Sequence, residues 1–557
     1  MDTTLHATPP AAAPAAAPAA APAGPHAAGP HVVSRDSALA AEAARRRTFA
    51  VISHPDAGKS TLTEALALHA HAIGEAGAVH GKGNRRGVVS DWMDMEKDRG
   101  ISITSAVLQF AYDGTVVNLL DTPGHADFSE DTYRVLAAVD AAVMLVDAAK
   151  GIEPQTFKLF EVCRARGVPV ITVVNKWDRP GLDALAIMDE LSTRIDLHPM
   201  PLTWPVGVAG DFHGVLDCAT GDFVQFTRTP GGATEALATR MGAADAEQLL
   251  GSVWTDAVEE YDLLRSSGHD YDHELFLSGA ASPVLFGSAV LNFGVRQLLD
   301  TLVTLAPAPG ARPDQSGTPR PVTAPFSGFV FKIQAGMDRA HRDRLAFVRV
   351  CSGQFTRGMV VTHAQTGRPF ATKYAQSVFG RDRSTLDEAF PGDVIGLVNA
   401  NALRVGDTLF ADEKVAFPRI PLFAPEHFAV ARAAVTGKQK QFRRGIEQLG
   451  EEGVVQVLTS DRRGAQAPVL AAVGPMQFDV AKHRMEHEFG APIRLETLGY
   501  SVARAVPAAV TSIVDSRPGA EALVREDGMH VAVFADKWRL ASVEKDLPPG
   551  SLTPIFG

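Results

Sequence analysis

Four short stretches hold side chains suited to gripping and cleaving a phosphate: "AGKS" at 57–60, "DTPGH" at 121–125, "NKWD" at 175–178 and "GSA" at 287–289. A Gly-Lys-Ser run between a strand and a helix points backbone N–H groups at one place. The helix N-terminus adds partial positive charge, so an anion is stabilised there. In that geometry Lys59 reaches β- and γ-phosphates, Ser60 offers its hydroxyl to Mg²⁺, and Gly58 lets the backbone approach with no Cβ in the way. The glycine that usually opens such a loop is Ser53 here, and a bare Gly-Lys-Ser also occurs at ordinary strand–helix turns.

The order of the remaining stretches points to a GTP site. Asp121 follows an apolar run and suits Mg²⁺ through a water, while Gly124 offers its N–H to a γ-phosphate. Asp178 accepts from the N1–H and exocyclic amine of guanine. Adenine would set a lone pair against the same carboxylate, and leaving a buried polar group unpaired costs about 1–3 kcal/mol. Asn175 and Lys176 brace this loop, and Ser288 and Ala289 present N–H groups to the guanine O6. In "EKDRGISIT", Ser102 and Thr104 both qualify as the hydroxyl that touches Mg²⁺ and senses the γ-phosphate. His125 occupies the place where a glutamine orients the attacking water in some nucleotide hydrolases. A solvated loop with incidental hydroxyls, and a structural histidine, are the plainer readings of these two features.

These residues need strand ends to hold them. "TFAVIS", "VVNLLDT", "AAVMLVDAA", "VPVITVVNK" and "SPVLFGSA" are short β-branched runs, and helical stretches such as "PQTFKLFEVCRAR" separate the later ones. The alternation predicts an α/β fold with a mostly parallel sheet, from 45 to 309, with an insertion of less clear structure at about 210–280. After a Pro-rich linker, strand and turn signals from 322 to 412 predict a β-barrel. A second Pro-rich break precedes a C-terminal α+β region, 424–557. Residues 1–44 read as a disordered tail, because proline this dense breaks helices and alanine alone builds no core.

Composition sets outer bounds. The 557 residues suggest about three or four domains and carry 53 Lys and Arg against 64 Asp and Glu, a net charge of −11. That balance argues against bulk electrostatic binding to nucleic acid. It leaves room for a local basic face such as Lys438, Lys440, Arg443 and Arg444, which also reads as a plain solvated helix. Three scattered cysteines, 163, 218 and 351, fit a reducing, cytoplasmic setting. No long apolar run predicts a membrane span.

"HPDAGKST", "RGISIT", "DTPGHADF" and "NKWD" resemble the GTPase domain of the translational GTPases, the elongation factor G and Tu family. "SDWMDMEKDRGISIT", "FKIQAGMDRAHRDRLAFVRVCSG" and "GPMQFDV" resemble its release factor 3 branch, over about 40–557. The resemblance implies that Ser53, Asp56, Ala57, Gly58, Lys59, Ser60 and Thr61 line the phosphates, with Asp56 helping to hold a monovalent cation. It further implies that Ser102 is the Mg²⁺-reaching hydroxyl, that His125 is catalytic, and that Pro55 and Ile101 form an apolar gate in front of it. Its implied cofactors are GTP or GDP and Mg²⁺. Its implied partners are the ribosome, including ribosomal RNA that helps position the histidine, and class I release factors, for a monomer with no membrane role. Trp177 departs from the pattern, where Leu or Met is commoner. A translocase is a competing expectation, weakened because only about 135 residues follow the barrel region. An ATPase would require Asp178 to be incidental, and a non-catalytic GTP-gated binder would leave the hydrolytic motifs unused.

Overall fold

The computed structural model describes residues 35–72, 104–227, 236–335, 344–379, 382–420, 423–460, 462–464 and 466–555. The chain begins there with helix Arg35–Ala44 (α1), then Arg46–Ser53 (β1), Lys59–His69 (α2), Ala106–Tyr112 (β2) and Thr115–Asp121 (β3). Ser129–Leu136 (α3), Ala141–Asp147 (β4), Val170–Asn175 (β5) and His198–Pro201 (β6) follow. Thr203–Val206 (β7), Gly214–Asp217 (β8), Phe223–Thr227 (β9) and Leu237–Met241 (β10) come next, and Ala281–Phe286 (β11) completes the set that builds the site.

The main sheet runs β2-β3-β1-β4-β5-β11-β6. Its pairs are parallel except β2 with β3, which forms an antiparallel edge. Helices cover both faces. Ala50, Ile52, Ala142, Met144 and Val146 point into one core, and Phe49, Val51, Val143 and Leu145 into the other. Burial on both faces is why these strands read as unbroken apolar runs. β1 has β3 on one side and β4 on the other. The chain order reverses there, and the crevice at the carboxyl ends of such strands is where open α/β sheets bind ligands.

Two expectations change. The insertion is well built, with an antiparallel sheet β10-β9-β8-β7 and the helix Ser252–Ser266, whose Trp254 packs on Phe223. Its strands are only four or five residues long, too short for a clear period-two pattern. The disordered tail cannot extend to 44, since 35–44 form α1, with Leu39 and Ala43 buried and Glu42 accepting from Arg46. The Ala/Pro-rich stretch itself lies outside the described residues.

Residues 327–410 form an eight-stranded antiparallel sheet, built around the pair Ser327–Ala335 and Arg344–Ser352. Among the described residues, its end strands Pro369–Ala371 and Asp382–Thr385 each pair with one neighbour. Residues 427–534 form a seven-stranded antiparallel sheet, with helices Gln439–Glu452 and Met476–His487 packed on it through Phe442, Ile446 and Met485. No described helix is long and apolar enough to cross a membrane, and all three cysteines are free.

The second sheet is bonded to the first. Arg349, 5% exposed, donates to the Ala138 carbonyl at 2.7 Å and to Asp140 Oδ2 at 2.6 Å. Thr48 Oγ1 donates to the Gly392 carbonyl at 2.8 Å. Asp140→Ala is expected to lower stability by about 3 kcal/mol, because it strands a buried guanidinium. A fall in the urea midpoint reads this out, and an unchanged midpoint would show that the pair contributes nothing to the packing of the two sheets.

Candidate nucleotide site

β1 ends at Ser53 and α2 starts at Lys59, so five residues turn the chain from strand to helix. The turn needs left-handed backbone at Asp56 (φ 66°) and Gly58 (φ 99°). A Cβ on Gly58 would also lie 2.4 Å from Asn175 Nδ2, so glycine is required twice over. Asn175, at the end of β5 and 3% exposed, donates from Nδ2 to the Ala57 carbonyl and accepts at Oδ1 from the Ala289 N–H, both at 2.8 Å. One carboxamide thereby joins the phosphate loop, the "NKWD" loop and the "GSA" loop.

Charge is arranged in pairs, one buried and one half-buried. Lys59 Nζ lies 2.7 Å from Asp121 Oδ1, with both side chains nearly inaccessible. Lys176 Nζ donates to the Asp56 carbonyl and to Asp147 Oδ2, the latter at 2.7 Å. Among the described residues, Asp178 Oδ1 is buried and has no hydrogen-bond partner, and neither does the buried Ser288 Oγ one loop away. A buried carboxylate oxygen without a donor is costly, and the purine N–H groups expected at Asp178 would satisfy it. Trp177 is fully buried, edge-on to Phe286 at 4.9 Å, with Nε1 donating to the Gly207 carbonyl. The departure at 177 thus fills core behind the base loop.

Ser60 and Thr61 lie half-buried in the first turn of α2, and Ser53 is buried at the end of β1. Gly124 packs against the loop, where an added Cβ would stand 3.4 Å from the Pro55 backbone. His125 caps the short helix Ala126–Phe128. Its Nδ1 lies 3.2 Å from both the Asp127 N–H nitrogen and Asp127 Oδ1. The ring is one-third exposed, with Phe128 beside it. Ile101 and Ser102 lie outside the described residues. Thr104 is described, and the adjoining Ser105 N–H donates to Asp131 Oδ2 at 2.7 Å while its hydroxyl accepts from Lys332 Nζ at 2.9 Å.

The structure adds residues that motif reading missed. Asp147 neutralises Lys176, and its only sequence signal is a carboxylate closing an apolar run, which many strands share. Lys332 fixes the stem of the "RGISIT" segment from the second sheet. The "GPMQ" stretch reaches the residues after His125: Met476 N–H donates to Asp127 Oδ2 at 2.7 Å. Glu130 on α3 is wholly buried, and burial pushes its carboxyl above the ordinary range against the opposing pull of Arg134, Gln456 and Phe423. Among the basic cluster, Lys440, Arg443 and Arg444 are exposed on their helix, while Lys438 donates to the Gly490 carbonyl.

Known proteins resemble the chain along its length. Residues 44–308 match the family described as Elongation factor Tu GTP binding domain, 325–412 match Elongation factor G domain 2, and 417–544 match Class II release factor RF3, C-terminal domain. Peptide chain release factor 3 of Acaryochloris marina is 46% identical over 93% of this chain and 96% of the relative. The protein of the same name from Gloeobacter violaceus is 49% identical over 84% and 89%, and that of Symbiobacterium thermophilum is 46% identical over 92% and 97%. A crystal structure of a Thermus thermophilus protein superposes with a TM-score of 0.66 at 22% identity, covering 87% of this chain and 71% of that one, a likeness of fold.

Gly58→Ala places a side chain in left-handed backbone, at a cost of roughly 1–2 kcal/mol, and drives a methyl into Asn175. It should weaken guanine nucleotide binding, measured by fluorescence titration, and lower the melting temperature. Wild-type affinity in that variant would mean that the Gly58–Asn175 approach does not shape the site.

Proposed function

The chain belongs to the peptide chain release factor 3 family of translational GTPases, and from that premise we propose how its residues carry the family's work. It is a GTPase that promotes departure of release factors from the ribosome after termination. The observation that supports the site assignment best is Asp178 Oδ1, buried without a donor beside a loop that Asn175 ties to the phosphate turn.

Guanine pairs through N1–H and its amine with Asp178, and Ser288 and Ala289 supply N–H groups to O6. Ser53, Asp56, Ala57, Gly58, Lys59, Ser60 and Thr61 surround the phosphates, and Asp56 contributes to holding a monovalent cation. Lys59 transfers its charge from Asp121 to the β- and γ-phosphates when nucleotide arrives, which frees Asp121. Ser60, Ser102 and the freed Asp121 (through water) are hard oxygen donors of the kind Mg²⁺ takes. When bound, the ion neutralises charge between the phosphates. Gly124 donates to the γ-phosphate, and His125 orients the attacking water behind the apolar gate of Pro55 and Ile101.

We read 45–309 as the GTP-binding domain, 322–412 as a domain whose antiparallel sheet closes into a β-barrel, and 424–557 as an α+β domain. The partners are the ribosome, with ribosomal RNA helping to position His125 and contacting the exposed cations Lys440, Arg443 and Arg444, and class I release factors. The protein works as a cytoplasmic monomer. GTP hydrolysis measured with and without ribosomes carrying a class I release factor tests this reading, which expects slow turnover alone and strong stimulation in the complex.

His125→Ala should keep nucleotide affinity and lose about 10²-fold or more of the ribosome-stimulated rate, the range usual for a group that handles the reacting water. A wild-type rate on ribosomes would refute the assignment. Asp178→Ala should weaken GTP binding about 10- to 100-fold, since about 1–3 kcal/mol rides on pairing a buried polar group. Equal affinity of wild type and variant in equilibrium titration would remove Asp178 from base recognition.

A further inference from the structure

Two residues past His125, Asp127 is only 9% exposed and its carboxylate sits in a socket made by the C-terminal region. Its Oδ2 accepts the Met476 N–H at 2.7 Å, at the first turn of helix Met476–His487, where a negative charge is stabilised. Gly474 forms the wall: a Cβ there would lie 2.1–2.5 Å from the carboxylate atoms. Gln477 Oε1 accepts the N–H groups of Val473 and Gly474, and its Nε2 donates to the Val454 carbonyl, so the wall is itself held. Phe128 completes the seat against Val480, Val454 and Met476.

The grip leaves Oδ1 facing His125. Nδ1 has two partners at 3.2 Å, the Asp127 N–H and Asp127 Oδ1, and they make opposite demands. An unprotonated Nδ1 suits the N–H and faces carboxylate lone pairs. A protonated Nδ1 suits the carboxylate and faces the N–H. Only the first has hydrogen-bond geometry: Nδ1 accepts the Asp127 N–H, while the Oδ1 charge faces the same edge of the ring at ion-pair distance. In a neutral ring this leaves the proton on Nε2, the nitrogen that can then donate to a water oxygen.

We propose that Asp127 is a positioning residue for GTP hydrolysis, fixing the His125 orientation through its N–H and the carboxylate charge beside Nδ1, and that the Gly474–Gln477 loop holds it in place. The C-terminal region thus takes part in the chemistry through one carboxylate. This inference rests on His125 being the residue that orients water.

Asp127→Asn discriminates well. Met476 N–H requires an acceptor at the Oδ2 position, so the amide nitrogen falls at the Oδ1 position and donates to Nδ1. The ring keeps its place and loses the negative charge that faces it. Single-turnover GTP hydrolysis on ribosomes and equilibrium nucleotide affinity would be measured for Asp127→Asn, Gly474→Ala, His125→Ala, the Gly474→Ala/His125→Ala double variant and Arg134→Met. Arg134→Met breaks a separate contact between α3 and the C-terminal region and leaves Asp127 alone. We expect Asp127→Asn and Gly474→Ala each to lose roughly tenfold or more at unchanged nucleotide affinity, the double variant to match His125→Ala, and Arg134→Met to lose much less. Wild-type rates in Asp127→Asn, losses that multiply in the double variant, or an equal loss in Arg134→Met would each overturn the proposal. So would faster hydrolysis without ribosomes in Gly474→Ala, which would make the socket a restraint. A wild-type rate in His125→Ala would instead remove the reading on which the proposal rests.

Discussion

The Asn175 carboxamide accepts from Ala289 and donates to the Ala57 carbonyl, each at 2.8 Å and away from water. Both bonds come from a planar group whose orientation β5 and its neighbours fix, so the spacing between base loop and phosphate loop has little freedom. The constraint propagates into the sequence. Gly58 cannot carry a Cβ because Asn175 occupies that space, and the same left-handed turn lets α2 begin one residue later with its N–H groups pointed at the loop. Nucleotide geometry is thus set before nucleotide arrives, which spares the ordering cost that a flexible loop would take from the binding energy.

Electrostatics completes the preorganisation. Lys59 and Lys176 are each neutralised, by Asp121 and Asp147. An unpaired buried ammonium would cost several kcal/mol, so these carboxylates let the loop keep its cations with no phosphate present. Asp178 Oδ1 and Ser288 Oγ have no hydrogen-bond partner among the described residues, and Arg179 stands 3.8 Å from Asp178 Oδ2. On the proposed assignment, the base side of the site gains most from ligand contact, while the phosphate side exchanges one set of charges for another.

Much of this was legible in the chain. Gly58, Lys59, Asp121, Asn175 and Asp178 each follow a β-branched run, and their order matches the order in which parallel strands deliver loops to one edge. Short-range chemistry on strand ends survives in sequence because the strand period and the loop lie within a dozen residues. The rest depended on distant partners. Asp127 and Met476 are 349 positions apart, and nothing local to either marks the bond. The insertion was opaque for another reason: its strands are too short to show a pattern. α1 was hidden by the Ala/Pro tract before it.

α3 shows why three regions act together. Asp127, just before it, meets the N-terminus of one C-terminal helix. Arg134, near its end, donates to the Glu452 and Gly453 carbonyls at the C-terminus of another. An acid on a helix N-terminus and a base on a helix C-terminus both suit the helix dipoles. Gly453 admits the guanidinium only because it has no Cβ. From the other side, Lys332 of the second sheet and Asp131 of α3 hold Ser105, the stem of the segment that carries Ser102. The stretch after His125 and the stem before β2 are therefore both anchored outside the GTP-binding region, by contacts that are directional and buried. A displacement of the second or third region has to strain these bonds or break them, and Glu130, desolvated on the same helix, has no solvent to fall back on. A surface bound to the outer regions can in this way reach His125 without touching the nucleotide.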